Sequence, residues 1–357
     1  MKEEDGQLYE SMLSSGKEVG RITVISLRRN GSLLLGLPLQ RDLAIVTLSL
    51  YQPQLWRGRL LRTVMRVLVS LGLHRYLSKI DIAVGNDGLI NGLGKDVFHE
   101  GFGFLLGSSD SEARNLIGIY KKEGEYRVVK AGCGQAADIV RNECETMQKY
   151  ATQVFGAIRC ESSFEIKHGY AYVAKWIKGR SPRGSADDVR VFKLLSEWLG
   201  SGKCRTVSEL ACWISLQDEM DEKDANMFDE LSQLEVISPV MHGDFAPWNI
   251  KMKSDGEIKV LDWEHADFSG MPGWDWLHYH VQRMRLVKGM SAVDVVQQCR
   301  ALMVEDAMSQ YLNEAGVRGH EELLLGSYFY YTERVYNYPR KTLIVAWNAS
   351  TGSGSEG

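Results

Sequence analysis

Three polar residues in the segment 242–264 have the types and the spacing that enzyme chemistry requires. Asp244 and Asn249 are five residues apart, and Asp262 follows Asn249 by thirteen residues. Two short apolar runs on either side of a Ser-Asp-Gly turn predict a hairpin that starts near Asn249. Because its return strand delivers Asp262, the segment predicts two carboxylates and one amide around a single hairpin.

This set of oxygen atoms suits phosphoryl transfer. That reaction needs a carboxylate to orient and deprotonate the attacking hydroxyl, and oxygen ligands to hold Mg²⁺. Asp244 is the predicted base, and Asn249 and Asp262 are the predicted metal ligands. Mg²⁺ held there would bridge the phosphates and neutralise the charge that develops on the leaving group. Glu264, two residues after Asp262, is a candidate for an additional ligand or a supporting group.

The pattern H-G-D-x-x-x-x-N, followed by an apolar residue and D-W-E, resembles the aminoglycoside phosphotransferase and choline kinase-like family. Members of that family share the two-lobed protein-kinase-like fold and phosphorylate hydroxyls of small molecules with ATP. The resemblance therefore implies an α+β, bilobal fold. A small antiparallel sheet with one helix would form the N-lobe, the C-lobe would be mainly helical, and this chain would add an N-terminal extension.

The resemblance also implies residues that bind the nucleotide. Lys130, on the third strand of the small sheet, matches the lysine that binds the phosphates. Glu143, in the following helix, matches its ion-pair partner, and it is preferred to Glu145 because it lies four residues before an apolar helix position. A Lys130–Glu143 ion pair would hold the lysine on the α- and β-phosphates.

Four further residues are implied to contact the nucleotide, and one to support the site. Ser108 and Ser109 lie in the turn that would cover the phosphates, although an ordinary hairpin turn is the alternative interpretation. Backbone groups of Lys175 and Ile177 would face the adenine. The predicted nucleotide is ATP, and since such contacts are made by the backbone, they do not exclude GTP. Asp275 matches an acidic position that supports the site structurally.

Other functions use some of the same residues. His242, Asp244, Asp262 and His265 could form a metallohydrolase site, but that interpretation leaves Lys130 and Asn249 unused. A second alternative is an inactive nucleotide-binding scaffold, which need not retain the lysine, both aspartates and the asparagine. A third is a nucleotidyl transferase that modifies a protein and releases pyrophosphate. His242 itself is predicted to brace the loop rather than to catalyse.

The elements that must position these residues follow from the apolar patterns. Alternating residues predict strands at 102–106, 115–120 and 126–130, a helix at 136–150, and a strand pair at 164–167 and 170–176. Helical patterns dominate after residue 179. Four regions result: an N-terminal extension of unknown role (1–94), a nucleotide-binding lobe and hinge (95–177), a helical catalytic lobe (178–348), and a Gly/Ser-rich disordered tail (349–357).

The N-terminal extension carries three predicted elements. Residues 21–27 and 43–50 are rich in Ile, Val, Leu and Thr and predict strands. Residues 56–77 predict a basic amphipathic helix, and no acidic residue occurs between Asp42 and Asp81. Such a helix could contact a membrane surface or an anionic partner, or it could pack as a surface helix on the next domain.

Composition limits the class of protein and of partner. The chain has 357 residues, with 42 basic against 46 acidic residues and a net charge of −4. This balance argues against a nucleic-acid binder that relies on bulk positive charge, and leaves a small-molecule hydroxyl compound as the predicted substrate. No apolar run approaches the roughly 20 residues of a membrane span, and the acidic N-terminus is unlike a secretory signal. The six cysteines include no C-x-x-C pair, so we expect a cytoplasmic protein.

An acidic stretch at 218–235 bears on the acceptor. Eight acidic residues accompany one lysine there. An acidic surface would attract a cationic substrate such as an amino sugar or amino alcohol. The alternative is a solvated helix face. The aromatic segment 328–338 is a second candidate for substrate contact, although such stripes usually belong to a core.

Overall fold

The computed structural model describes residues 12–29, 32–53, 56–94, 96–107, 115–150, 152–335 and 342–351. The chain divides into two compact units. Unit 1 comprises Met1–Ala151 and Ala157–Lys178, and unit 2 comprises Thr152–Gly156 and Gly179–Gly357.

Unit 1 is built on one antiparallel sheet of eight strands, in the order β3-β1-β2-β4-β5-β6-β8-β7. The predicted strands of the nucleotide-binding region are present as β4 to β8. The N-terminal segment adds β1 to β3 to the same sheet, because β2 pairs with β4 through Leu35–Leu105 and Gly36–Phe104. The strands are β1 Glu18–Arg29, β2 Ser32–Pro38, β3 Lys79–Gly85, β4 Phe102–Leu106, β5 Asn115–Lys122, β6 Glu125–Cys133, β7 Cys160–Ile166 and β8 Gly169–Lys175.

Side chains alternate between two apolar layers along this sheet. Val24 and Phe104 belong to one buried cluster, while their neighbours Ile25 and Leu105 face another, which includes Met65. The helices of unit 1 are α1 Arg41–Thr47, α2 Trp56–Ser70, α3 Leu89–Leu93, α4 Asp96–Glu100 and α5 Gln135–Tyr150, with a 3₁₀ turn at Leu73–Tyr76.

The N-terminal predictions had mixed success. Strand β1 includes the predicted strand 21–27, but the strand predicted at 43–50 is wrong, because Arg41–Thr47 is helix α1. Leu43, Ala44 and Thr47 are buried on one side of α1, and a short apolar run does not distinguish this helical spacing from a buried strand. The predicted basic helix is present as α2, which ends at Ser70 before Gly72, a residue with a positive φ of 73°.

Unit 2 is mainly helical. Val304 and Glu305 separate two of its helices, at Ala292–Met303 and Asp306–Ala315, and two short helices follow one another at Glu222–Asn226 and Asp229–Ser232. Residues 349–351, which composition assigned to the tail, continue the last helix. The helices are α6 Ser185–Gly200, α7 Ala211–Asp218, α8 Glu222–Asn226, α9 Asp229–Ser232, α10 Trp274–Gln282, α11 Ala292–Met303, α12 Asp306–Ala315, α13 Glu321–Tyr330 and α14 Leu343–Thr351, with a 3₁₀ turn at Val207–Glu209 and π-helical turns at Arg283–Val287 and Tyr331–Val335.

Two small strand pairs complete unit 2. Strand β9, Lys203–Thr206, pairs with β10, Glu235–Ser238, and β11, Ile250–Met252, pairs with β12, Ile258–Val260. The predicted fold class is confirmed, with an antiparallel sheet first and a mainly helical region after it. Among the described residues, no helix is long and apolar enough to cross a membrane.

Candidate active site

The β11–β12 hairpin positions two of the predicted site residues in unit 2. Its register pairs Ile250 with Val260, and the Leu261 N–H donates to the Asn249 carbonyl at 2.8 Å. Asn249 and Asp262 therefore lie at the open end of the hairpin, opposite its turn. The apolar residues that form the strands thus also set the spacing between these two polar residues.

Asp262 has an unusual backbone conformation. Its φ is 67°, in the left-handed region that only a few per cent of residues other than Gly adopt, among which Asn and Asp are enriched. Such conformations persist only where the surrounding structure holds them, and they cluster at functional sites. The chain turns sharply here, immediately after strand β12.

The loop that carries Asp244 is held from two directions. The ring Nε2 of the buried His242 lies 2.8 Å from the carbonyl oxygen of Leu261, which ties the loop to the residue before Asp262. The carboxylate of Asp275 accepts hydrogen bonds from the backbone N–H groups of His242, at 2.6 Å, and Gly243, at 3.1 Å. His242 therefore acts as a brace, and Asp275 supports the loop, as the sequence implied.

Asp244 and Asn249 are in direct contact. The Asn249 amide Nδ2 donates to the Asp244 carboxylate oxygen Oδ2 at 2.9 Å and to the Asp244 backbone carbonyl at 3.0 Å. Since the nitrogen of the Asn249 amide makes both of these bonds, its oxygen Oδ1 is the atom with the chemistry to bind a cation. The spacing of five residues thus joins the predicted base to a predicted metal ligand.

His278 is a site residue that sequence reasoning missed. Its Nε2 lies 3.0 Å from Asp244 Oδ1, and its Nδ1 lies 3.2 Å from the hydroxyl of Tyr328, in the buried interior. A signal was available, because His278 follows Asp275 by three residues on helix α10, and residues with that spacing share a helix face. The contact with Asp244 spans 34 residues and has no local signature.

The charge state of Asp244 follows from these neighbours. Burial alone raises the pKa of its carboxyl. The hydrogen bond and charge of His278, together with the charges of His242 and His265, lower the pKa more strongly, to about 2. Asp244 is therefore ionised at neutral pH. Burial raises the pKa of Asp275, which lies deeper in the unit.

In unit 1, strand β6 and helix α5 bring Lys130 and Glu143 together. Lys130 Nζ lies 2.8 Å from Glu143 Oε2, and the two side chains are only 5% and 1% exposed. Glu145 is exposed, so within this helix it is Glu143 that pairs with Lys130. A single charge at either buried position would lose its hydration without compensation, whereas in the pair each charge is compensated by the opposite charge of its partner.

The other predicted nucleotide contacts stay predictions. Ser108 and Ser109 lie outside the described residues. The ammonium group of Lys175 lies 3.1 Å from the Glu125 carboxylate on the surface of unit 1, and Ile177 is half-buried beyond the end of β8. The predicted roles of Lys175 and Ile177 involve their backbone groups, which these side-chain contacts leave unaffected.

The geometry of unit 2 disfavours the metallohydrolase interpretation. His242 is fully buried and its Nε2 already contacts a backbone carbonyl. His265 Nε2 lies 3.5 Å from a Glu264 carboxylate oxygen. The Nε2 atoms of both rings are therefore already in contact with other groups.

Part of the acidic stretch has structural roles. Asp221 caps helix α8 by accepting from the Asp224 N–H at 2.8 Å. Asp224 accepts a hydrogen bond from the Tyr330 hydroxyl at 3.0 Å, and Glu230 lies 3.0 Å from His320 Nε2. The remaining acids of the stretch are exposed, and they are Asp218, Glu219, Glu222, Asp229 and Glu235.

Most of the aromatic segment belongs to the core of unit 2. Tyr328, Phe329 and Tyr330 are each no more than 1% exposed. Glu333, also fully buried, accepts hydrogen bonds from the backbone N–H groups of Leu343 and Ile344 at the start of helix α14. The segment therefore packs the unit and anchors its last helix, and residues 336–338 lie outside the described part.

No protein-family model matches this chain, and no curated protein matches it. Among solved structures, the chain is similar to a thermostable mutant of aminoglycoside phosphotransferase APH(4)-Ia in a ternary complex with ADP and hygromycin B. The identity is 14% and the TM-score 0.45, and the match covers 71% of this chain and 95% of the other.

Two further solved structures are similar to this chain. For aminoglycoside phosphotransferase APH(3'')-Id from Streptomyces rimosus, the identity is 14%, the TM-score 0.41 and the coverage 64% of this chain and 92% of the other. For choline kinase LicA from Streptococcus pneumoniae, the identity is 13%, the TM-score 0.40 and the coverage 70% of this chain and 85% of the other. The chain thus resembles solved structures of aminoglycoside phosphotransferases and of a choline kinase.

Proposed function

We propose that this chain is an ATP- and Mg²⁺-dependent phosphotransferase that transfers the γ-phosphoryl group to a hydroxyl of a small molecule. The observation that carries the proposal is the direct contact between Asp244 and Asn249 at the open end of a hairpin that also delivers Asp262. The buried Lys130–Glu143 ion pair of unit 1 supports the same reaction.

Asp244 would act on the acceptor. Its ionised carboxylate can accept a hydrogen bond from the attacking hydroxyl, which orients the oxygen and later receives the proton. Since the transition state of phosphoryl transfer is loose, proton transfer is late and orientation is the larger part of this role. The contacts with Asn249 and His278 fix the carboxylate for that purpose.

Asn249 and Asp262 fit a Mg²⁺ site. Both offer hard oxygen donors, which Mg²⁺ prefers. The amide nitrogen of Asn249 is directed at Asp244, which supports the ligand role that we propose for its oxygen, and the left-handed backbone of Asp262 supports a fixed position for the second ligand. Mg²⁺ bound there would neutralise negative charge on the phosphates.

Lys130 would bind the nucleotide phosphates. The ammonium group is held at 2.8 Å from Glu143 within the sheet-and-helix unit, so the position of its positive charge is set before a nucleotide binds. The same preorganisation serves ATP or GTP, because it recognises phosphates rather than the base.

A cationic acceptor, such as an amino sugar or amino alcohol, is favoured by the exposed acids of the 218–235 stretch. Asp218, Glu219 and Glu222 lie together in sequence around the start of helix α8 and are exposed. Acids with this exposure raise the local concentration of cations at low ionic strength. This part of the proposal concerns the acceptor and is independent of the phosphotransferase chemistry.

The test is a screen for ADP release from ATP and Mg²⁺ over amino sugars, amino alcohols and simple sugars. We expect turnover with at least one acceptor, and a fall of about 10²–10⁴-fold in kcat for Asp244→Asn. Asp306→Asn, at an exposed position in the first turn of helix α12, is the matched control and should retain activity.

Two results would contradict the proposal. Release of pyrophosphate in place of ADP would indicate a nucleotidyl transferase. A nucleotide-dependent rise in melting temperature without turnover of any acceptor would indicate an inactive nucleotide-binding scaffold. Unchanged kcat in Asp244→Asn would refute the role of Asp244 itself.

A further inference from the structure

Helix α2 exposes apolar side chains that its own packing does not use. The helix buries Met65 and Val69 against the sheet of unit 1. Five other apolar residues are spaced at four, four, three and four positions, and we call them the apolar stripe: Trp56 (67% exposed), Leu60 (56%), Val64 (47%), Val67 (51%) and Leu71 (65%).

The apolar stripe faces away from the sheet. At about 100° per residue, its members fall in a sector roughly 80° wide, opposite Met65 and Val69. Leu71 is part of it because its N–H donates to the Val67 carbonyl at 3.0 Å, which continues the helical turn beyond Ser70. A continuous exposed apolar surface of this kind marks an interaction site rather than ordinary surface variation.

The charge around the apolar stripe is of one sign. Arg59 and Arg66 border it on one side of the helix, and Arg57 borders it on the other, with its guanidinium 5.5 Å from the Trp56 ring centre. No acidic residue occurs from 43 to 80, whereas this span holds Arg57, Arg59, Arg62, Arg66, Arg75 and Lys79. The partner must therefore be apolar in the middle and negative at the edges.

The same helix of a second copy of this chain is apolar in the middle but positive at its edges, so it does not fit as the partner. Two apolar stripes placed face to face would bring their bordering arginines together, and like charges across an interface are unfavourable. An anionic bilayer fits, because a helix with an apolar stripe, flanking arginines and a terminal Trp lies in the headgroup region with its apolar side inserted. We propose that helix α2 binds unit 1 to the surface of a membrane that contains anionic lipid.

The experiment is co-sedimentation of the full chain with vesicles of phosphatidylcholine containing 30% phosphatidylglycerol, compared with vesicles of phosphatidylcholine alone. No substrate is present, so the result does not depend on the proposed phosphotransferase activity. We expect binding to the anionic vesicles that weakens about tenfold in Val64→Ser/Val67→Ser, since two half-exposed valines lose their transfer into the apolar region. Arg59→Gln/Arg66→Gln should weaken binding by at least as much and reduce its salt dependence.

The matched control is Val293→Ser/Val345→Ser, which makes the same change at two exposed valines of unit 2 (55% and 66% exposed). It should bind like the unchanged chain, and circular dichroism and melting temperature should be alike in all three double variants. Equal binding of Val64→Ser/Val67→Ser, no binding to either vesicle, or loss of a dimer in place of loss of vesicle binding would each overturn the proposal.

Discussion

The ionisation of Asp244 depends on a side chain far away in sequence. His278 Nε2 donates to the Asp244 carboxylate at 3.0 Å, and the ring is held in turn by Tyr328, whose hydroxyl lies 3.2 Å from His278 Nδ1. The packing of helix α10 therefore sets the direction and the charge of the proposed base. His278 acts through Asp244, so it is a positioning residue.

Replacing His278 should move the pH dependence of the proposed reaction. In His278→Leu, burial still raises the pKa of Asp244, whereas the hydrogen bond and charge that oppose it are lost. We expect kcat to fall and the acidic limb of the kcat–pH profile to move to higher pH. A lost interaction of about 1.4 kcal/mol would move this limb by about one pH unit. Because the limb of the unchanged chain lies near pH 2, steady-state kinetics from pH 2 to 8, with circular dichroism to show that both proteins stay folded, would measure both effects.

Two variants separate this role from a structural one. His278→Gln places a donor near the former Nε2 and should restore much of the acidic limb. His280→Gln changes another buried histidine of the same helix, whose ring packs on Trp276 at 4.2 Å, and should leave the limb in place. A lower kcat with an unmoved acidic limb in His278→Leu would make the contact merely structural.

The same shift predicts how stability changes with pH. The folded pKa of Asp244, about 2, lies below the value of about 3.9 in an unfolded chain. This group therefore stabilises the fold fully above about pH 4, and the contribution is lost as pH falls toward 2. Because the side chain is 32% exposed, we expect about 1–2 kcal/mol. Urea unfolding of Asp244→Asn should show a smaller loss of stability between pH 4 and 2 than the unchanged chain.

Strand β6 and helix α5 depend on the Lys130–Glu143 pair for electrostatic balance. Lys130→Met would leave Glu143 as a buried charge without its cation, and removal of one partner of a buried pair costs about 3–5 kcal/mol. We expect a large fall in the free energy of unfolding and loss of nucleotide affinity. Urea unfolding followed by circular dichroism measures the first, and a nucleotide titration measures the second.

The double variant Lys130→Met/Glu143→Leu distinguishes packing from charge. It removes both charges, so most of the stability should return, while nucleotide affinity should stay low because no cation faces the phosphates. Glu145→Leu, at an exposed position of the same helix, is the control. If the double variant were as unstable as Lys130→Met, the uncompensated charge of Glu143 would not be the cause.

Local patterns predicted the elements that carry these residues well, and failed where tertiary packing decides. Strand β4 and helix α5 follow from alternation and helical spacing, and the hairpin follows from its turn, so Asn249 and Asp262 were placed correctly. The run at 43–50 was misassigned because β-branched residues pack in helix α1 against the sheet. The His278–Asp244 contact could not be predicted, because it depends on how helix α10 packs against the loop.

The N-terminal segment 1–94 and the following region 95–177 share one sheet, which the sequence did not reveal. Strand pairing between distant segments has no local signature, whereas the motifs that define the kinase-like pattern begin only near residue 95. In the structure, β2 pairs with β4, and Val24 and Val84 belong to the same buried cluster as Phe104 and Val129. The front quarter of the chain is therefore structurally part of unit 1.

This continuity predicts that residues 95–357 do not fold without the preceding segment. Deleting residues 1–94 removes strands β1 to β3, which leaves β4 as an open edge of the sheet and exposes Phe104 and its neighbours. Exposed apolar edges promote aggregation. We expect chain 95–357 to be insoluble or to lack cooperative unfolding, by size-exclusion chromatography and thermal melting. Chain 1–351, which loses only residues after helix α14, should melt like the full chain. A monomeric, cooperatively melting chain 95–357 would show instead that the strands β4 to β8 suffice for the sheet, and that β1 to β3 serve chiefly to carry helix α2.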